Sequence, residues 1–176
     1  ATAPLPLIER LAFGSDDIVQ TLACITPGDV RPTLPLRELV LLSTCHRVEL
    51  YGVSTDDETR PSAALDAMAG LLTSRNHGAE TLDAHVRRLV GSEATRHLFR
   101  VAAGLESMVL GESEVLGQVA SALALATRIG AAGQGPLHPF QIGDPRPHIL
   151  QMRGGQCTHF GAAGLPARRK AEQGAH

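Results

Sequence analysis

A chain of 176 residues with 16 basic and 18 acidic side chains can build one cored domain, and its surface lacks the strong net field that would hold nucleic acid or an anionic membrane by charge alone. Cys24, Cys45 and Cys157 are odd in number and lack paired spacing. They argue against a disulfide framework or a four-thiolate zinc site and for a reducing, cytoplasmic setting. The opening residues lack a signal-peptide pattern and no apolar run approaches the ~18 residues of a membrane span, so the chain reads as soluble.

Ser15 before Asp16 and Asp17 predicts a helix over about 16–25, with the serine as cap and the carboxylates at the positive end of the dipole; Pro27-Gly28 ends it. Leu39–Leu42 and Val48–Val53 are β-prone apolar runs, and the polar stretch from Ser43 to Arg47 between them lies at a strand end or strand connection. Pro61 suits a first helical turn, and Leu65, Met68, Ala69 and Leu72 recur at helical spacing until Gly78. His85–Val90 reads as a third strand. Ser92 is placed to cap a helix that turns Ala94, Leu98, Val101 and Leu105 to one side, and a further helix is predicted from Ser113 to Ile129. From 131 to 176 the texture changes to 8 Gly and 5 Pro in 46 residues, the composition of a poorly ordered tail. The expected organisation is therefore a domain over 1–130 and an irregular tail over 131–176.

Three places have the residues for chemistry. Cys45 lies in a polar connection beside His46 and Arg47, the neighbourhood in which a thiol becomes a nucleophile, although a buried structural cysteine is an equally available reading. Cys24 sits in an apolar helix pattern as a small hydrophobe. The segment from Gly104 to Glu114 sets carboxylates and hydroxyls around a short apolar run. Glu114 and Gln118 stand one helical turn apart and can meet one polar ligand, or Glu112 and Glu114 are only well-placed charges at a helix N-terminus. His97 lies at the border of an apolar stripe, a position that more often holds a satisfied core or boundary histidine than a catalyst. No metal site is expected: the other histidines lack ligand spacing, and Cys157 with His159 is too small a donor set.

Two stretches resemble the signatures of one family. Ser43-Thr44-Cys45-His46-Arg47-Val48-Glu49-Leu50-Tyr51 is similar to the Ser-Thr-Cys-Asn-Arg-x-Glu-x-Tyr motif of glutamyl-tRNA reductases, with His46 replacing the usual Asn, and His97 through Val119 resembles the second signature almost throughout. The resemblance runs from Ala1 to about Ala132, and Thr2-Ala3-Pro4 with Glu9–Phe13 look like the segment that follows the family's first strand. That strand is then expected to be missing, leaving a sheet edge open beside the reactive connection.

The resemblance implies an α+β fold: a small, mainly antiparallel ferredoxin-like sheet with helices on one face, a helical extension and an irregular tail. It also implies an enzyme of tetrapyrrole (porphyrin) biosynthesis. Cys45 attacks glutamyl-tRNA to form a thioester, which NADPH reduces to glutamate 1-semialdehyde. His97 matches the family's activity-critical histidine. Thr44, His46, Arg47, Ser107, Glu112, Ser113, Glu114 and Gln118 match substrate-contacting positions, with Arg47 suited to a bidentate grip on the glutamate carboxylate. The NADPH-binding domain and the dimerisation region of this homodimeric family are not expected in 1–176. Glutamate 1-semialdehyde aminomutase would be the hand-off partner. Alone, the chain is expected to stop at thioester formation and hydrolysis, or to act as a non-catalytic remnant that binds glutamyl-tRNA or a full-length reductase.

Overall fold

The computed structural model describes residues 3–25, 34–55, 61–76, 82–107, 114–133 and 147–153. Helix α1 (Leu5–Leu11) follows Pro4 and has a proline in its first turn, where the missing N–H had no helical partner to lose. It buries Leu7, Ile8 and Leu11. Sequence reading did not anticipate it, because Pro4 and Pro6 mask a short apolar helix. Helix α2 (Ser15–Ala23) begins one residue earlier than expected: Gly14 is its cap, and the Gly14 N–H donates to Asp17 Oδ2 at 3.2 Å.

Arg75, just beyond the helix α3 (Pro61–Thr73), clamps the joint between the first two helices. Its Nη2 donates to Ala12 O at 3.1 Å and to Asp17 Oδ2 at 2.9 Å, and its Cζ lies 4.4 Å from the centre of the Phe13 ring. The hydrogen bond from Arg75, then that from the Gly14 amide, holds the Asp17 carboxyl below its ordinary value of 3.8. A depressed carboxyl stabilises the fold above that ordinary value and loses its contribution as pH falls through the lower, folded one. Arg75→Met should therefore narrow its stability gap to wild type on acidification below about pH 4, as acid titrations of urea unfolding would register; a gap constant down to pH 2 would contradict this.

Strands β1 (Leu36–Ser43) and β2 (Arg47–Ser54) form an antiparallel hairpin in register Ser43↔Val48 to Leu36↔Ser54, with an irregularity between Leu36 and Glu38. The apolar runs continue beyond their predicted ends because every residue of β2 is buried. A 3-10 turn (Leu82–Ala84) leads into β3 (Val86–Val90), close to the predicted third strand. Helix α4 (Gly91–Ala102) starts directly after it. Gly91 has φ of 56°, a conformation costly for other residues, and this lets strand become helix with no intervening loop. The cap position is thus Val90 rather than Ser92. Helix α5 (Glu114–Ile129) is as predicted to within a residue.

The last strand, β4 (Pro147–Arg153), lies inside the stretch read as an irregular tail. It pairs antiparallel with β2 on one side and β3 on the other, giving the order β1-β2-β4-β3. The β2 edge expected to be open beside the reactive connection is therefore paired. The ordered unit also continues past residue 130: Ala131 and Ala132 are fully buried, Leu39 N donates to Ala131 O at 2.8 Å, and Gly133 N donates to Glu38 Oε2 at 3.2 Å.

The α+β class and the antiparallel sheet are as expected, whereas the helical cover lies on both faces of β2 rather than on one. Neighbouring strand residues point to opposite faces. Gly52 looks toward Met68 of α3, while Tyr51 looks toward Leu98 of α4 and Val119 of α5. Coverage of both faces is what buries β2 end to end. No helix among the described residues is long and apolar enough to cross a membrane.

Candidate active site

The β1–β2 hairpin presents the first candidate group. Thr44 N donates to Arg47 O at 2.8 Å, closing the connection and leaving Cys45 and His46 at its tip. The half-buried Thr44 stiffens the turn by accepting the His46 N–H on its hydroxyl at 3.3 Å. Cys45 is exposed, and its Sγ lies 2.9 Å from His46 Nδ1. A thiol that solvent can reach, with an imidazole nitrogen at hydrogen-bond distance, has the two things a nucleophilic cysteine needs: access and a proton acceptor. The alternative of a buried structural cysteine does not describe Cys45. Cys24 is exposed too, but its Sγ bonds the Gln20 carbonyl at 3.4 Å, a local helix contact.

Below the tip the polar residues of β2 turn inward. Arg47, Glu49 and Tyr51 alternate along the strand and so share one face, and all three are buried. Glu49, at 0% exposure, joins them. Its Oε1 accepts from Arg47 Nη1 at 3.3 Å, and its Oε2 takes the Tyr51 hydroxyl in a short hydrogen bond and His97 Nε2 at 3.1 Å. A carboxylate can only accept, so Nε2 of His97 carries the proton in this bond. Burial first, and then the negative charge of Glu49, raises the Tyr51 hydroxyl well above the ordinary tyrosine range. Tyr51 therefore stays a donor.

Arg47 ties this network to the second candidate segment, because its Nη2 donates to the Glu106 carbonyl at 2.7 Å. Glu106 is held in turn by Arg100 Nε at 2.6 Å. The adjacent Ser107 is buried, and its Oγ has no hydrogen-bond partner among the described residues. A buried hydroxyl without a partner is costly and suits a ligand's polar group. Arg47 is engaged inside the protein, so the expected bidentate grip on a substrate carboxylate would require it to release Glu49 or the Glu106 carbonyl.

The structure thus brings Cys45, His46 and Arg47 into one hairpin and links them through Glu49 to His97 and through Glu106 to Ser107. Glu114 and Gln118 are exposed one turn apart on α5 and take no part in that network. Glu112 and Ser113 lie outside the described residues. Sequence reasoning missed Glu49 as a member of the site. The available signal was a polar residue at every second position of a strand whose intervening residues, Val48 and Leu50, are apolar. No group of three or more His, Cys, Asp or Glu among the described residues is placed to hold a metal ion.

The family model described as "Glutamyl-tRNAGlu reductase, N-terminal domain" matches residues 1–140. The chain belongs to this family. It is 43% identical over 141 residues to a glutamyl-tRNA reductase of Xanthomonas campestris pv. campestris (strain B100), a match that takes in 80% of the chain and 29% of that relative. Among solved structures it is similar to the glutamyl-tRNA reductase from Methanopyrus kandleri, with 35% identity, a TM-score of 0.49, and coverage of 75% of this chain and 27% of that one. The chain therefore spans less than a third of the length of these family members. The family match takes in Cys45, His97 and the whole buried network between them, and ends before β4.

Proposed function

We propose that this domain performs the acyl-transfer step of a glutamyl-tRNA reductase, taking glutamate from glutamyl-tRNA onto Cys45. The observation that carries the proposal is the exposed Cys45 sulfur beside His46 Nδ1 at the hairpin tip. The thiol proton passes to the His46 imidazole as sulfur attacks the ester carbonyl. A carbon–sulfur bond forms, the bond from that carbon to the tRNA ribose oxygen breaks, and the proton ends on the departing hydroxyl. Replacing the usual Asn by His46 supplies a base where an amide could only hydrogen bond. Thr44 and the Ser107 hydroxyl, which has no partner among the described residues, are the polar contacts nearest in chain and network for the glutamyl group. Glu112, Ser113, Glu114 and Gln118 remain its family-implied contacts. Arg47 and Glu49 act as positioning residues, holding the foot of the hairpin and orienting His97.

In a complete reductase the thioester would be reduced with NADPH to glutamate 1-semialdehyde for tetrapyrrole synthesis. The described residues do not fit that cofactor: all strand pairs are antiparallel, and the strand-to-helix step at Gly91 carries one glycine, not the phosphate-cradling run that a dinucleotide needs. No hydride step is assigned to this chain. Water would instead resolve the thioester, so the chain would release free glutamate in the cytoplasm. Reductase dimerisation and hand-off to the aminomutase belong to the longer family members' side of the proposal.

Incubating the chain with radiolabelled glutamyl-tRNA and no NADPH should release glutamate, and Cys45→Ala should reduce that release by about 10²-fold or more, the scale of losing a positioned catalytic group. Equal release by the variant would overturn the proposal. A thiol reagent should also label Cys45 ahead of Cys24, whereas equal rates would favour a glutamyl-tRNA-binding remnant.

A further inference from the structure

With 16 basic and 18 acidic side chains, the chain has no general field to hold RNA, so any contact with the nucleic acid part of a substrate must be local. Helix α4 supplies such a contact. His97 turns its imidazole inward to Glu49, while Arg96, Phe99 and Arg100 of the same helix are exposed. Their spacing of three and four residues puts them on one face. An exposed phenylalanine by itself says little; here its setting decides. Phe99 is 51% exposed, and no cation or second ring lies over it among the described residues. Arg96 has neither a hydrogen bond nor an ion pair among those residues. Arg100 gives its Nε–H to Glu106 Oε1 at 2.6 Å, and its side chain is half exposed, which leaves the Nη donors for a further acceptor. Glu93, in the first turn, is the one acidic side chain of the helix and forms no ion pair with Arg96.

This strip is continuous with the thiol site. Glu106, which holds Arg100, also accepts Arg47 Nη2 on its carbonyl at 2.7 Å, and Arg47 stands at the foot of the hairpin that carries Cys45. Leu105, directly before Glu106, is 52% exposed and adds apolar surface at that junction. Resting on the reading of Cys45 as acceptor of the glutamyl group, we propose that Phe99, flanked by Arg96 and Arg100, is the platform for the unpaired 3′ end of glutamyl-tRNA. The ester sits on that end, so its nucleotides must cross surface adjoining Cys45. A base stacks on the Phe99 ring while Arg96 and Arg100 meet neighbouring phosphates. Every unpaired base offers a π-face, and aromatic stacking combined with cationic groups holds single strands without reading their sequence. The competing occupant is the face of a partner protein. Two guanidinium groups, neutralised only by the one bond to Glu106, favour a polyanion instead. Opposite sides of α4 would then serve one reaction, His97 within the buried network and Phe99 beneath the strand that delivers the ester.

The test uses the full chain carrying Cys45→Ala, which removes turnover, with two RNA probes: a tRNA acceptor-stem hairpin with its unpaired 3′ end, and the same hairpin ending blunt. Dissociation constants are read by fluorescence anisotropy. The chain should bind the first RNA more tightly. Phe99→Ala should weaken that binding by about 5- to 150-fold, the range for losing one base–aromatic stack, and leave the blunt hairpin unaffected, while Phe99→Trp should keep the preference. The exposure of Phe99 means that neither change disturbs the core. Arg96→Gln should lower the slope of log affinity against log salt by about 0.7, the share of one single-strand phosphate; Arg128→Gln, in the last turn of α5, should not. Equal binding of both RNAs, or an unchanged preference in Phe99→Ala, would overturn the platform. So would a change in oligomeric state on Phe99→Ala in sedimentation, which would make this face a protein interface. Glutamate release by the wild-type chain is a separate readout: its failure beside an intact 3′-end preference would count against the chemistry of Cys45 and leave the platform standing.

Discussion

Glu49→Ala should destabilise the fold by about 3–5 kcal/mol, the cost of leaving a buried charge without its partner. Arg47 is 5% exposed and Glu49 is wholly buried, so the guanidinium left behind would have the Glu106 carbonyl but no counter-charge among the described residues. Tyr51 and His97 would lose their shared acceptor at the same time. Glu49→Gln keeps the side-chain volume and one carbonyl acceptor, so it should cost less. A double replacement of Arg47→Met with Glu49→Leu, which removes both charges, should recover much of the loss, since matched apolar residues often replace a buried ion pair without penalty. Urea unfolding of the three variants separates these cases. A loss under about 1 kcal/mol for Glu49→Ala, the range of an exposed pair, would mean that the network is not sealed from water as described.

The second large effect is steric. A Cβ placed on Gly52 would lie 2.9 Å from Leu36 Cδ2 and 3.0 Å from Met68 Sδ, and both neighbours are buried to within 1%. Gly52→Val should therefore cost about 1–3 kcal/mol through overpacking, with part of the loss restored by Met68→Ala, which vacates the space on α3. A neutral Gly52→Val, measured by thermal and urea unfolding, would show that α3 is not seated against this face of β2. The glycine matters because it permits a close approach of helix to strand.

Elements that declare themselves by periodicity were legible before the fold was known. The hairpin strands follow from β-prone apolar runs, α3 and α5 follow from helical apolar spacing, and the turn at Cys45 follows from a polar break between two apolar runs. Three features resisted for separate physical reasons. Helix α1 hides behind prolines that usually signal irregular chain. The start of α4 depends on the φ of Gly91, which no side-chain pattern reports. Strand β4 is stabilised by the two edges it joins, a long-range pairing, while its local neighbourhood is rich in glycine and proline. The same division holds at the site. Cys45, His46 and His97 drew notice through their chemistry and their resemblance to a family, whereas Glu49 was passed over because a carboxylate in a strand looks like a solvated position until its three partners close around it.

The amide of Phe13, in the joint between α1 and α2, donates to Ser43 Oγ at 2.9 Å, and Ser43 is the last strand residue before the reactive turn. The same joint is gripped by Arg75 from the end of α3. The thiol is thus tethered at its base to three helices as well as to its own strand, and a shift of the first helical pair would tilt the tip as a lever moves about its pivot. Aim of the sulfur and seating of the amino-terminal helices are one mechanical variable.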